Sequence, residues 1–131
     1  GRGAYAPGWL DDYDSVARWI DRHAHVRDRV VTDTQYTFPL VLKADDPGRF
    51  VIPSDRDFER TLADPATYHA THLLVSDGPG DLLAGSYPEL RSARRTPTAR
   101  LVRTFRAGPN RLRLYAVTGS VTGAEVRPAA R

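Results

Sequence analysis

The chain has no cysteine and no methionine among its 131 residues. Without cysteine, neither a disulfide framework nor a thiolate metal site can form. Because translation begins with methionine, we interpret Gly1 as an internal or processed start and expect the chain to be a piece of a longer protein. The sequence has no apolar run near the roughly 18 residues that a membrane helix needs, and no signal-peptide pattern at its start.

Lysine is almost absent as well. Lys43 is the one lysine among 19 basic residues, and the others are arginines. The net charge is +3, but the arginines are spread along the chain, with one local cluster in residues 91–100. A nucleic-acid-binding domain concentrates its charge on one face. We therefore expect no nucleic-acid partner.

The periodicity of apolar residues predicts alternating helices and strands. Four segments have the apolar spacing or the capping residues of helices, namely 12–24, 37–44, 54–64 and 80–91. Three short apolar or β-branched runs have the composition of strands, namely 29–32, 50–55 and 71–77. In the second helix we place Pro39 in the first turn, where proline is tolerated. In the third we place Ser54 or Asp55 at the N-cap.

Two further segments, Leu101–Phe105 and Leu112–Ala116, alternate apolar and polar residues around a turn at 107–110 that predicts a hairpin. Strands separated by helices favour a parallel sheet. We predict an α/β fold, a three-layer sandwich whose short mixed sheet has three parallel strands plus a C-terminal antiparallel hairpin, with helices on both faces. The expected organisation is an irregular linker at 1–10, a single domain at 11–118 and a frayed tail at 119–131.

A set of short motifs between residues 12 and 117 resembles a known family. The motifs are Val16–Ile20, Val30–Asp33, Phe50–Ile52, Asp64–Pro65, His72–Val75, Tyr87–Pro88 and Leu112–Tyr115. Together they resemble the extracytoplasmic C-terminal region of actinobacterial membrane glycosyltransferases of the GT-C, dolichyl-phosphate-mannose–protein mannosyltransferase-like class. Most of the matched positions are structural.

This resemblance implies an accessory domain on the extracytoplasmic face of the cell membrane, within a multi-pass transferase that uses polyprenyl-phosphate-linked sugars. Its partners would be the transmembrane part of its own chain and a glycan or polyprenyl-phosphate sugar. The catalytic aspartate of such enzymes lies near their first membrane helices, so no catalytic residue is carried over, and we expect no turnover and no cofactor in this fragment. The alternatives are a free-standing carbohydrate- or cell-wall-binding module and a small soluble α/β enzyme.

The predicted strands end in small polar or acidic residues, and ligands of open α/β sheets bind beyond the carboxyl ends of the strands. Carboxylates there can accept hydrogen bonds from sugar hydroxyls, or they can cap the helices that follow. Asp33 is the first candidate. The full set of candidate ligand-binding residues is Asp33, Thr34, Asp55, Ser76 and Asp77.

The arginine cluster at 91–100 is a second candidate surface. Arg91, Arg94 and Arg95, with Arg100 at its end, can contact lipid head groups or a lipid phosphate. The alternative interpretation is a solvated loop.

The histidines form two pairs, His23 with His25 and His69 with His72, and these do not predict a zinc site. A strand over 71–75 would point His69 and His72 to different faces, whereas zinc needs convergent ligands. The Gly-Pro-Gly segment at 78–80 lacks the spacing of a phosphate loop. We interpret it as a turn that leads into the next helix.

Overall fold

The computed structural model describes residues 7–120, and the side chains from residue 10 onward. Its helices are α1 (Pro7–His23), α2 (Thr34–Lys43), α3 (Phe58–Ala63) and α4 (Leu82–Ser86), with short 3₁₀ turns at Pro47–Arg49 and Pro88–Arg91. Its strands are β1 (Val30–Thr32), β2 (Phe50–Val51), β3 (His72–Ser76), β4 (Ala99–Ala107) and β5 (Asn110–Val117). Within residues 7–120, no helix has both the length and the apolar character needed to cross a bilayer.

The five strands form one mixed sheet in the order β2-β1-β3-β5-β4. Strand β1 pairs in parallel with β2 and β3, while β5 pairs antiparallel with β3 and β4. The predicted α/β class, the three parallel strands and the antiparallel hairpin are therefore confirmed.

Successive strand residues enter two separate apolar clusters, as the alternation of a strand requires. Val30 and Leu74 pack in the cluster that contains the buried residues of α1 and α2. Their neighbours Val31 and Leu73 pack in the cluster that contains those of α3 and α4. The inward face of α1 is the predicted one, since Tyr13, Val16 and Ile20 are buried.

Strand β4 carries a bulge. Its register with β5 shifts between Leu101 and Arg103, so Val102 is an extra residue on this strand. An extra residue reverses the alternation of side chains beyond it. As a result Phe105 packs in the cluster that contains α1, and Arg100 lies on the same side of the sheet.

Helix α1 begins earlier than the sequence pattern indicates. The prediction of an irregular segment over 1–10 is wrong for residues 7–10, which are helical. The physical reason is that proline fits the first helical turn, where its missing N–H costs no hydrogen bond. Residues 1–6, and residues 121–131 of the predicted tail, lie outside the described residues.

Helix α2 also begins earlier than predicted, at Thr34. The carboxylate of Asp33 occupies the N-cap and accepts a hydrogen bond from the backbone N–H of Gln35. This cap moves the helix start upstream, so Pro39 lies inside the helix rather than in its first turn.

Helix α3 starts later than predicted, at Phe58, and the cap at Ser54 or Asp55 is wrong. The Asp55 carboxylate instead accepts a hydrogen bond from the backbone N–H of Ile52, 2.9 Å away. That bond holds the chain in a turn before the helix. Phe58 and Leu62 are buried, as the spacing predicts.

The Gly-Pro-Gly segment is a turn, as predicted, and the ring of Tyr36 packs against it. The Tyr36 hydroxyl donates a hydrogen bond to the carbonyl of Pro79. Gly78 is buried beneath this ring, in a place that leaves no room for a side chain. Gly80 has φ of +85°, a backbone conformation that favours glycine.

We expect Gly78→Ala to lower the free energy of unfolding by about 1–3 kcal/mol, as overpacking does. The added methyl group would overlap the Tyr36 ring and displace the hydroxyl from Pro79. Gly85→Ala is the matched control, because Gly85 lies in α4 with open space where a Cβ would stand. There we expect a gain of about 0.5–1 kcal/mol from helix propensity. Denaturant unfolding measures both variants, and equal effects would contradict this account of the turn.

Candidate functional site

A cavity of about 350 Å³ opens beside the C-terminal end of α1. Val30 and His72, the first residues of β1 and β3, form part of its lining, together with Leu114 of β5. The cavity therefore lies at the amino-terminal edge of the parallel strands, opposite the edge where the sequence places the site. Its aromatic and charged lining residues are Trp19, His23, His25, Asp28, His72 and Arg100.

Trp19 is held in place from several sides. Its ring stacks on His23, with centroids 4.0 Å apart and planes 15° from parallel, and it meets Phe105 edge-on. The guanidinium carbon of Arg103 lies 5.5 Å from the Trp19 ring centroid, within the range of a cation–π contact. The helix places Trp19 and His23 one turn apart, so the two rings stack face to face and form one compact aromatic pair beside the cavity.

The helix end also fixes one nitrogen of His23. Its Nδ1 lies 2.8 Å from the carbonyl oxygen of Trp19. This contact engages one ring nitrogen with the last turn of α1. No hydrogen bond among the described residues engages the other ring nitrogen, Nε2.

His72 contributes a half-buried imidazole to the lining. Its Nδ1 lies 2.9 Å from the Thr71 hydroxyl. Burial lowers the pKa of His72, and the nearby charges of His25 and Arg100 lower it further, against the opposing effect of the Asp28 carboxylate. We therefore describe His72 as neutral at pH 7. In the part of the chain that the structure describes, its Nε2 forms no hydrogen bond.

Asp28 and Arg100 give the cavity one charge of each sign. The Asp28 carboxylate accepts a hydrogen bond from the backbone N–H of His25, 2.8 Å away, and so closes the loop after α1. Arg100 is exposed on β4, opposite Ala116 in the register of the hairpin. This set of side chains can stack on a ring, donate and accept hydrogen bonds, and change its charge with pH.

The carboxyl edge of the sheet, which the sequence predicts as the site, is occupied by structural hydrogen bonds. One oxygen of the buried Asp33 accepts from the N–H of Gln35 at 3.2 Å, and the other from the N–H of Leu82 at 2.9 Å. Asp33 thus joins the start of α2 to the start of α4. Thr34, the next candidate, is the first residue of α2.

The remaining candidates at this edge also bind the backbone. The Ser76 hydroxyl oxygen accepts from the N–H of Gly78, and Asp77 accepts from the N–H of Arg111 at 2.8 Å. Asp55 closes the turn before α3. The sequence thus places polar residues correctly at the strand ends, and the structure assigns their oxygens to turns and helix starts.

Asp81 is the one acidic group at this edge, among the described residues, with a buried carboxylate oxygen that lacks a hydrogen-bond partner. It is the N-cap of α4, and its Oδ2 accepts from the N–H of Ala84 at 3.0 Å, whereas Oδ1 has no hydrogen-bond partner within the described residues. Burial raises the pKa of Asp81 to about 6, and the Asp33 carboxylate adds to the rise, while the Ala84 amide opposes it. The sequence places Asp81 near a helix start but gives no sign of its burial.

The arginine cluster divides between the cavity and the solvent. Arg91, Arg94 and Arg95 are exposed and are not part of the cavity lining, whereas Arg100 is. Within residues 7–120, no three histidine or acidic side chains are arranged to hold a metal ion.

The sequence pattern raises the cavity histidines as candidates for a zinc site and does not single out Asp28. The available signal was the spacing of Trp19 and His23, which places two planar rings on one side of the last helical turn. No such signal links that turn to His72 or Arg100, which are distant in sequence.

No family model, no curated protein and no solved structure matches the chain. The resemblance to membrane glycosyltransferases therefore stays a prediction based on the short motifs.

We expect the buried Asp81 carboxyl to make stability depend on pH. Since its folded pKa of about 6 exceeds its ordinary value of 3.8, the folded state binds the proton more tightly. The free energy of unfolding therefore rises as pH falls through 6, by roughly 3 kcal/mol at most. Asp81→Asn keeps the cap oxygen and removes this dependence, so its stability relative to wild type is greatest above pH 6.

Chemical denaturation at several pH values measures this difference. Asp81→Ala is the control for the cap, and it should cost about 1 kcal/mol relative to Asp81→Asn at every pH. The same pH profile in wild type and Asp81→Asn would contradict the assignment.

Proposed function

We propose that this chain is an accessory, extracytoplasmic domain of a membrane-bound glycosyltransferase that uses polyprenyl-phosphate-linked sugars. In this proposal the domain binds a glycan in the cavity beside α1, helps to position it, and has no turnover of its own. The observation that carries the proposal is the stacked pair of Trp19 and His23 in the cavity lining, surrounded by hydrogen-bonding side chains.

The chemistry of a sugar fits such a cavity. A pyranose ring has apolar C–H faces that pack on a flat aromatic wall, and a rim of hydroxyl groups that need donors and acceptors. The stacked pair of Trp19 and His23 supplies the aromatic surface, while Asp28 accepts hydrogen bonds and Arg100 donates them. The volume of about 350 Å³ lies at the lower end of the range for small-molecule sites, as a site for one sugar unit requires.

The motifs behind the resemblance and the cavity share residues. Trp19 belongs to the Val16–Ile20 motif, His72 begins the His72–Val75 motif, and Leu114 lies in the Leu112–Tyr115 motif; all three line the cavity. Motifs that are structural in the sequence pattern therefore also build this surface. This overlap supports the link between the glycosyltransferase resemblance and a glycan-binding role.

A free-standing carbohydrate- or cell-wall-binding module is the second candidate function. The same cavity supports it, because stacking and hydrogen bonding are needed whether or not membrane helices accompany the domain. The two candidates differ in the parent protein rather than in the site.

We expect methyl α-mannopyranoside, or a short mannan oligosaccharide, to bind the isolated chain at the cavity. In an amide-detected NMR titration, the signals of His72, Arg100 and Ala116 should shift, while those of Asp33 and Asp77 stay unchanged. Trp19→Leu should weaken binding about tenfold through the loss of aromatic contact. Phe38→Leu is the matched control, because Phe38 is an exposed aromatic residue outside the cavity lining.

Two results would count against this site. If only the amide signals of Asp33 and Asp77 shift, the glycan binds at the carboxyl edge of the sheet and not in the cavity. No shift with either glycan would contradict glycan binding by the domain.

We also expect the native reading frame to encode several apolar segments of about 20 residues upstream of Gly1, with the product in the membrane fraction. The resemblance requires this arrangement, because the catalytic part of such transferases lies among the membrane helices. A secreted product with only a signal peptide would favour the free-standing module. A cytosolic product of about this length would favour the small α/β enzyme.

A further inference from the structure

The cavity combines a sugar-sized apolar surface with groups that attract negative charge. Arg100 is always protonated, and its planar guanidinium can bind a carboxylate or a phosphate through two hydrogen bonds. His23, His25 and His72 add three imidazoles, which can donate or accept hydrogen bonds. An uncharged sugar could use these hydrogen bonds, but it would gain nothing from the charge of Arg100.

Asp28 sets the balance of this charge. With the imidazoles neutral, the Asp28 carboxylate offsets the Arg100 guanidinium, and the cavity carries no net charge. A proton on His72 then makes the cavity one unit more positive. The attraction for an anion therefore depends on the protonation of His72.

His72 is the histidine best placed to couple binding to a proton. It is half-buried at the start of β3, and Arg100, His25 and Asp28 are close enough to influence its titration. The remaining ionisable residue of the lining is His23, at the end of α1. A bound anion would offset the desolvation and the positive neighbours that now disfavour a charged His72.

We infer that the cavity selects acidic sugars, whose carboxylate or phosphate group binds between Arg100 and His72 while the ring packs against the stacked pair of Trp19 and His23. This inference rests on the proposed glycan-binding function and adds the class of sugar and its dependence on pH. Binding takes up a proton on His72, and so the affinity for an acidic sugar increases as the pH falls. The neutral counterpart of the same sugar binds more weakly and without this pH dependence.

A matched pair of ligands tests the inference on the 131-residue chain. Methyl β-D-glucuronide and methyl β-D-glucoside differ only in a carboxylate, and the carboxylate stays ionised at both pH 6 and pH 7.5. We expect the glucuronide to bind about tenfold more tightly at pH 6. Its affinity should fall about fivefold at pH 7.5, with both affinities measured by calorimetry or NMR titration.

Glucose 6-phosphate, compared with the glucuronide at pH 7.5, distinguishes a phosphate from a carboxylate as the preferred anion. Tighter binding of the phosphate assigns the site to sugar phosphates, and tighter binding of the glucuronide assigns it to uronic acids. Equal binding of all three ligands would overturn the inference.

Substitutions distinguish the role of Arg100 from that of His72. Arg100→Gln should abolish the preference for the glucuronide, because glutamine can still donate a hydrogen bond to a sugar hydroxyl but carries no charge for the carboxylate; the affinity for the glucuronide should fall to about that for the glucoside. Arg106→Gln is the matched control, since Arg106 is exposed on the same strand and outside the cavity lining. His72→Asn keeps an amide near the Thr71 hydroxyl but lacks Nε2, so it should keep a preference for the glucuronide and lose its pH dependence. Unchanged amide spectra away from the cavity confirm that each variant is folded.

The outcomes separate this inference from the proposed function. Binding of the glucoside and the glucuronide with equal affinity, or an equal loss of both in Arg100→Gln, would overturn the acidic-sugar inference and leave glycan binding in place. Binding of the glucuronide that is unchanged between pH 6 and pH 7.5 would overturn the role of His72. If neither these ligands nor the mannose glycans bind, both the inference and the proposed function fail.

Discussion

Strand β3 is hydrogen-bonded on both sides, to β1 and to β5, and its side chains are buried on both faces. A strand in this position needs apolar cover above and below, and much of the architecture follows from that need. On one face α1 and α2 supply the cover, but α1 ends at His23, and the first residues of β1 and β3, Val30 and His72, line the cavity beside that end. The strip of sheet beyond the helix end becomes part of the lining of the cavity. The place of the candidate site is therefore set by the length of one helix relative to the sheet.

Much of the fold could be predicted because its signals are local. The turn at 107–110 indicates the hairpin from four residues alone, and the spacing of Tyr13, Val16 and Ile20 gives the buried face of α1. Helix ends were harder, because a carboxylate can cap the helix directly after it or close a turn before it. Asp33 does the first and Asp55 does the second, and the choice depends on which backbone amides lie near.

The site itself could not be predicted from the same patterns. Polar residues at strand ends look alike whether they bind a ligand or the backbone, since both uses require the same oxygen lone pairs. At this edge those lone pairs accept hydrogen bonds from the backbone amides of Gln35, Leu82 and Arg111. The cavity arises instead from residues far apart in sequence, such as Trp19 and His72, which meet only once the strand register is set. Only the assembled sheet places their side chains together.

The bulge at Val102 has a consequence for recognising relatives of this chain. In a regular strand, Arg100 and Phe105 would lie on opposite faces, so that the chain could have an arginine at the cavity or a phenylalanine beneath α1, but not both. The extra residue permits both. A homologous hairpin that is one residue shorter here would have to exchange its apolar and polar positions along half of β4. Strand length and side-chain pattern would therefore have to be read together to recognise a homologue that shares the cavity.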